Sequence, residues 1–182
     1  MIVISGGQRG ADMAALKAAS LAGLRIDGHY VGSPVKLPSQ CERQLIEFGL
    51  RRHPVKAYTP AQAFVIRSMH NVDASDVTVA FLLHASAGTL GTVGYCQTQQ
   101  WGAKHVRVPK TGRSVHVSNQ GYRPCLVVLS LVDEMEVCDA ISAFLGEHRV
   151  HRLNVAGNRD CDEIIVSRVL DNVFGALMRK NK

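Results

Sequence analysis

The 182-residue sequence has no apolar run approaching the roughly 20 residues of a membrane helix, which excludes a spanning helix among its segments. Its first residues, Met1-Ile2-Val3-Ile4-Ser5, lack the basic flank and long apolar stretch of a secretory signal, so a cytoplasmic protein is expected. Cysteine is scarce and scattered. Cys41, Cys96, Cys125, Cys138 and Cys161 form no Cys-x-x-Cys pair, which argues against a zinc knuckle or a redox dithiol and for buried free thiols in a reducing compartment. There is no His-Glu-x-x-His, and His148 and His151 are the only closely spaced histidine pair, so no metal site is expected. Aromatic residues make up 5%, too few for a platform on which single-stranded bases would stack. The Gly-x-Gly-x-x-Gly fingerprint, the Gly-Lys-Ser/Thr of a phosphate loop and the Gly-x-Ser-x-Gly elbow are all missing.

What remains is an ordinary globular composition with a basic balance. The formal net charge of +6 favours anionic partners. It is not gathered into a polybasic tail beyond Arg179-Lys180-Asn181-Lys182, so a small anion suits it at least as well as a polymer does.

Strand-like and helix-like segments alternate along the chain. The β-branched run Ile2 to Ser5 reads as a buried strand, and the alanine-rich stretch from Ala11 to Leu24 as a helix that Gly23 can end. Residues 25–37 are ambiguous, with a candidate strand near Ile26 and a turn at Gly32-Ser33-Pro34. Ser39, with Glu42 three residues on, predicts an N-cap and a helix to about Phe48, and Pro60 predicts a helix to about His70. Val77 to Leu83 is apolar enough for a strand buried on both faces. A helix to about Trp101, a strand at His105 to Val108, and a polar, mobile excursion or hairpin at 109–124 follow. Cys125 to Leu131 and His151 to Ala156 are strand-like, while Asp133 to Leu145 and Asp162 to Met178 are helical. With no repeat and no long linker, residues 1–182 read as one α/β domain, a Rossmann-like three-layer fold with a mostly parallel central sheet.

Ligands of such sheets lie beyond the carboxyl ends of the strands, where three glycine turns fall. In Gly6-Gly7-Gln8-Arg9-Gly10, glycines would let a ligand approach main-chain N–H groups at the mouth of a helix, and Arg9 would add a guanidinium suited to phosphate. Asp12 would serve the helix dipole, a ligand hydroxyl or Arg9. Gly88, Thr89 and Thr92 offer hydroxyls that either cap a helix or hold oxyanion oxygens. Arg67, Asn71 and Asp76 precede the buried strand, though Asn71-Val72-Asp73 is also a plausible Asx turn. Gly157 and Arg159 complete a third turn ending in a cation.

Ile4 to Asp12, Arg67 with Asn71-Val72 and Ser75-Asp76-Val77-Thr78, Gly88-Thr89 with Thr92, and Leu153 to Arg159 together resemble the molybdenum carrier family of the SLOG group. SLOG domains are Rossmann-like nucleotide binders, related to Lonely-guy and lysine-decarboxylase-like proteins. The resemblance spans nearly the whole chain. It implies a strand-end pocket, a homo-oligomer, and molybdenum cofactor or a nucleotide as ligand. Three departures stand out. Arg9 replaces a small hydroxyl residue, Ala87-Gly88-Thr89 stands where a double glycine is usual, and the family's segment after the second strand is matched only loosely by Gly28 to Pro34. The catalytic glutamate of the phosphoribohydrolases is replaced by Val93-Gly94-Tyr95 after Thr92, which turns the reading toward binding rather than turnover.

The first expectation is therefore a binder of a phosphorylated or oxyanionic small molecule: a nucleotide, a nucleotide-derived signal or molybdenum cofactor. The alternatives are a nucleotide N-glycosidic hydrolase using Asp12 or Asp76, and a nucleic-acid-binding module that the net charge alone would favour.

Overall fold

The computed structural model describes residues 1–102, 114–118 and 121–180; the strand expected at 105–108 lies outside them. The chain runs β1 (Ile2–Ser5), α1 (Ala11–Leu21), β2 (Arg25–Asp27), β3 (His29–Tyr30), α2 (Ser39–Glu47), β4 (Arg51–Arg52) and α3 (Pro60–Asp73). It continues through β5 (Val77–Phe81), α4 (Ala87–Thr98), β6 (Val115–Ser118), β7 (Cys125–Val128), α5 (Glu134–Glu147), β8 (Arg152–Gly157) and α6 (Glu163–Lys180).

Six strands form a central sheet in the order β2-β1-β8-β5-β7-β6, parallel except for β6, which runs antiparallel to β7. The last strand thus sits in the middle, between β1 and β5. Its register places Ser5 beside Val155 and Phe81 beside Gly157, so the carboxyl ends of β1, β8 and β5 finish at one place. Those ends carry the three glycine turns.

Helices α1, α5 and α6 cover one face. The buried alanines Ala11, Ala14, Ala15, Ala18 and Ala19 let α1 press closely on α6, while Phe81, Phe144 and Phe174 fill the space beneath. Burying each such phenylalanine is worth about 1.5–3 kcal/mol. On the opposite face, Val72 of α3 and Val93 and Cys96 of α4 pack on Ala80 and Val127. Both sides of β5 are therefore covered, which is why its sequence shows no polar alternation.

The ambiguous segment resolves into β2 and a two-residue strand, β3, which pairs with β4 in a separate parallel ribbon. The Ser39 cap is corrected. Ser39 lies inside α2, Pro38 holds the cap position, and the Glu42 carboxylate accepts the Tyr30 hydroxyl at 2.8 Å. A capping box does form at α3, where Thr59 and Gln62 bond each other's backbone ahead of Pro60. Helix α3 continues through Asn71 to Asp73, so no Asx turn interrupts it. The expected buried thiols hold only in part: Cys96 and Cys125 are buried, Cys138 and Cys161 half-buried, and Cys41 exposed. Of the 109–124 excursion, the described part supplies β6 and the turn into β7; no described helix is long and apolar enough to cross a membrane.

Candidate functional site

A pocket of about 820 Å³ opens over the carboxyl ends of β5 and β8, within the usual range for small-molecule sites. Its walls come from four places. Helix α3 presents Pro60, Ala61, Phe64, Arg67 and Ser68, spaced so that one helical face meets the cavity. The β5–α4 turn gives His84 and Ser86 to Thr89, the β8–α6 turn gives Gly157, Arg159 and Asp160, and the opening turn gives Gln8 and Asp12.

One residue fastens these turns together. Asn158, fully buried, donates its backbone N–H to Phe81 O at 3.0 Å and accepts at its own carbonyl from Ala11 N–H at 3.3 Å. Its side-chain oxygen accepts from Leu83 N–H at 2.7 Å, and its amide donates to His84 O at 3.3 Å. Gly157 beside it carries no side chain because a Cβ there would meet Ala11 Cβ and Phe81 O, each at 2.7 Å.

At the pocket floor Arg67 and Asp12 form a buried ion pair, Arg67 Nη1 to Asp12 Oδ2 at 3.4 Å, with side chains 5% and 4% exposed. Asp12 Oδ2 also accepts from Gln8 N–H at 3.3 Å. Burial pushes the Asp12 carboxyl up from its ordinary value against the opposing pull of Arg67, and burial likewise lowers Arg67. The guanidinium starts so high that it stays charged. It is under-satisfied: its Nε is buried with no hydrogen-bond partner among the described residues. Arg159 supplies a second cation, its guanidinium carbon 4.6 Å from the centre of the Phe64 ring it covers. The His84 and Asp160 side chains bridge the β5–α4 and β8–α6 turns at 2.6 Å.

The two helix mouths differ. At α1, Ala11 N–H is taken by Asn158 O of the third turn and Met13 N–H by Gln8 O, ahead of the first intrahelical bond from Ala14 N–H to Gly10 O. Gly10, at φ +74°, is pressed against the Asn158 and Arg159 backbone. At α4, Ser86 Oγ accepts from Thr89 N–H and the first intrahelical bond is Leu90 N–H to Ser86 O. Ala87 and Gly88, whose N–H groups precede that bond, line the pocket, and a side chain at Gly88 would meet nothing within 4 Å. Thr92 lines the same wall but donates its hydroxyl to Gly88 O at 3.1 Å. The indole of Trp101 closes the wall beside Gly91.

Of the residues singled out in the sequence, Gln8, Asp12, Arg67, Gly88, Thr89, Thr92, Gly157 and Arg159 come together around this cavity. The others lie elsewhere. Gly6 backs onto the Arg67 guanidinium and Gly7 onto Leu45 and Leu50, so their lack of a side chain serves packing. Arg9 is exposed and off the pocket wall. Asn71 clasps the backbone of His29, accepting its N–H at 3.0 Å and donating to its carbonyl at 3.2 Å. Asp76 sits just before the amino end of β5, where its carboxylate accepts from His151 N–H at 2.9 Å and Arg152 N–H at 2.8 Å, at the opposite end of the strands from the pocket. Sequence reasoning missed Asn158, Phe64, Ser86, His84, Asp160 and Trp101 as site residues. Phe64 was discoverable as the residue one helical turn before Arg67, and Ser86 as the cap three residues before Thr89.

Among the described residues, no group of three His, Cys, Asp or Glu side chains is arranged to hold a metal ion. The cavity instead gathers Arg67 and Arg159, the amino end of α4 and an apolar wall.

Among curated proteins none matches the chain. A solved structure from Syntrophus aciditrophicus, of a "putative molybdenum carrier protein", is similar over 96% of this chain and 92% of its own, with a TM-score of 0.62 and 19% identity. That likeness establishes the shared Rossmann-like fold. Residues 3–119, most of the chain and three of the four pocket walls, match the circularly permuted YpsA SLOG family. The chain therefore belongs to the circularly permuted YpsA SLOG family.

Proposed function

We propose that this protein binds a small phosphorylated or oxyanionic molecule in the strand-end pocket and holds it without turnover. The observation that carries the proposal is Arg67, a buried guanidinium with an unpartnered Nε, which lines the same cavity as Ala87 and Gly88 at the amino end of α4. A buried donor without a partner costs about 1–3 kcal/mol, and more when charged. An anion at this place satisfies it and meets the positive end of α4. Arg159 adds a second positive contact, and the apolar wall of Pro60, Ala61, Phe64 and Trp101 suits a flat ring attached to the anion. A nucleotide, a nucleotide-derived signal and the phosphate-bearing pterin of molybdenum cofactor all have that form. The name given to the Syntrophus neighbour supports the last of these. The donors suit molybdate as an oxyanion; they offer no cage for a bare cation.

Calorimetric titration with AMP, inorganic phosphate and molybdate tests the reading, alongside mass spectrometry of whatever co-purifies with the native protein. Binding by at least one probe, lost in Arg67→Gln, is expected. Equal affinity in that variant overturns the proposal.

A further inference from the structure

Three histidines far apart in the chain meet away from the pocket. His29 lies on β3, His53 follows β4, and His70 is on α3, with ring centres 4.3 Å (His29–His70), 5.1 Å (His53–His70) and 5.4 Å (His29–His53) apart. His53 Nδ1 accepts from Val55 N–H at 3.3 Å, so its proton rides on Nε2, which lies 3.3 Å from His70 Nδ1 and donates to it. Both rings are neutral in this arrangement. A proton added to His70 Nδ1 sets donor against donor, and one added to His53 Nδ1 displaces Val55.

The same geometry argues against a metal. A ligating imidazole turns its other N–H to an acceptor, whereas His53 Nδ1 faces an N–H donor.

The charged groups around the triad come from every neighbouring element. Arg51 of β4 repels a charge on His29, and Asp27 of β2 attracts it. Arg67 of α3 repels a charge on His53, and Asp73 of α3 lines the shallow cleft beside His53 and His70. Burial, followed by the charges of His70 and His53, pushes His29 down to about 4, and burial with His70 lowers His53.

The element the triad holds is weak on its own. The β3–β4 ribbon has two residues per strand, extended by Arg51 N–H to Gly28 O at 3.1 Å and His53 N–H to Tyr30 O at 3.0 Å. So short a ribbon depends on what it packs against. It is tied to α3 by the Asn71 clasp on His29 and by the histidine contacts. Arg67 lies one helical turn before His70.

We propose that His29, His53 and His70 form a proton-operated latch, which clamps the β3–β4 ribbon onto α3 while neutral and releases it, loosening Arg67, when protonated. Opening of the ribbon stands independently of the ligand; only the effect on affinity rests on the proposed anion site.

Amide hydrogen exchange at pH 7 and pH 4.5, corrected for intrinsic rates, tests it in metal-free buffer. Arg51 and His53 amides should lose at least tenfold protection relative to Val79 and Val155 in the central sheet. The loss should shrink at least threefold in His70→Gln, which keeps an acceptor for His53 but takes no proton, and also in His29→Phe, which keeps a ring in place. Ribbon and core changing in parallel, or both variants behaving as wild type, overturns the latch. Sulfate, whose charge is constant over this range, separates the two readings. No sulfate binding at pH 7 counts against the anion site while the exchange result still decides the latch. Sulfate bound equally at both pH values, with the ribbon open, overturns the link to Arg67.

Discussion

Replacing Gly6 by alanine puts a methyl group inside the space of the Arg67 guanidinium, overlapping Nη1 and Cζ, and 2.7 Å from Asp12 Oδ2. The backbone of Gly6 needs no special conformation, since only Gly7 and Gly10 in this turn have positive φ, so the effect isolates the guanidinium. Arg67 must leave Asp12. Breaking a buried pair while leaving one charge behind costs about 3–5 kcal/mol. Here the displaced guanidinium can swing toward the open pocket and the Asp12 carboxyl, already raised by burial, can take a proton, so a smaller loss of about 1–3 kcal/mol is expected. Anion affinity should fall by one lost charge-assisted hydrogen bond, about 1.5–3 kcal/mol, or roughly 10- to 150-fold in Kd. Urea denaturation measures the first quantity and calorimetry with AMP, phosphate or molybdate the second. If Gly6→Ala keeps both stability and affinity within about 0.5 kcal/mol of wild type, the floor of the pocket is not built around Arg67 as described.

Arg9→Ala should leave affinity for the same probes unchanged within twofold, whereas Arg159→Ala should weaken it by about 1–2 kcal/mol through loss of a charged contact; calorimetry distinguishes them. Asn158→Ala strands the Leu83 N–H and the His84 carbonyl, so a loss of about 2–3 kcal/mol is expected, seen as a Tm drop of about 5–10 °C. Asp76→Ala should lower Tm by freeing two backbone N–H groups yet leave Kd unchanged, because Asp76 lies at the amino ends of β5 and β8, opposite the pocket. Acid should destabilise the fold through His29. Its folded value of about 4 lies below the ordinary 6.5, so the unfolded chain binds the extra proton between those values and stability falls as pH drops from 6.5 toward 4. Urea midpoints for wild type and His29→Phe should converge as pH falls through that window.

The sheet and its order of elements were legible because alternating apolar segments with helical stretches leave few packing solutions. The location of the pocket followed from the same pattern, since glycine turns mark strand ends. The division of labour among those turns was not legible. Gly6-Gly7-Gln8-Arg9-Gly10 has the composition of an anion loop, but its glycines are occupied by Arg67, Leu45 and the Asn158–Arg159 backbone, contacts made across the fold. Asp76 was adjacent in sequence to a pocket strand but at its amino end, a distinction that strand direction alone decides. The ribbon at β3 and β4 was missed because two-residue strands have no periodicity, and the histidine triad because its members are 17 or more positions apart.

The central claim is that Arg67, with the mouth of α4, holds an anion. Isothermal titration of AMP, phosphate and molybdate into wild type and Arg67→Gln, with folding of both checked by circular dichroism, tests it most directly. Saturable binding of at least one probe to wild type, with at least a tenfold weaker Kd in the variant, is expected. Undiminished binding in a folded Arg67→Gln protein, or no binding of any of the three to wild type, would contradict it.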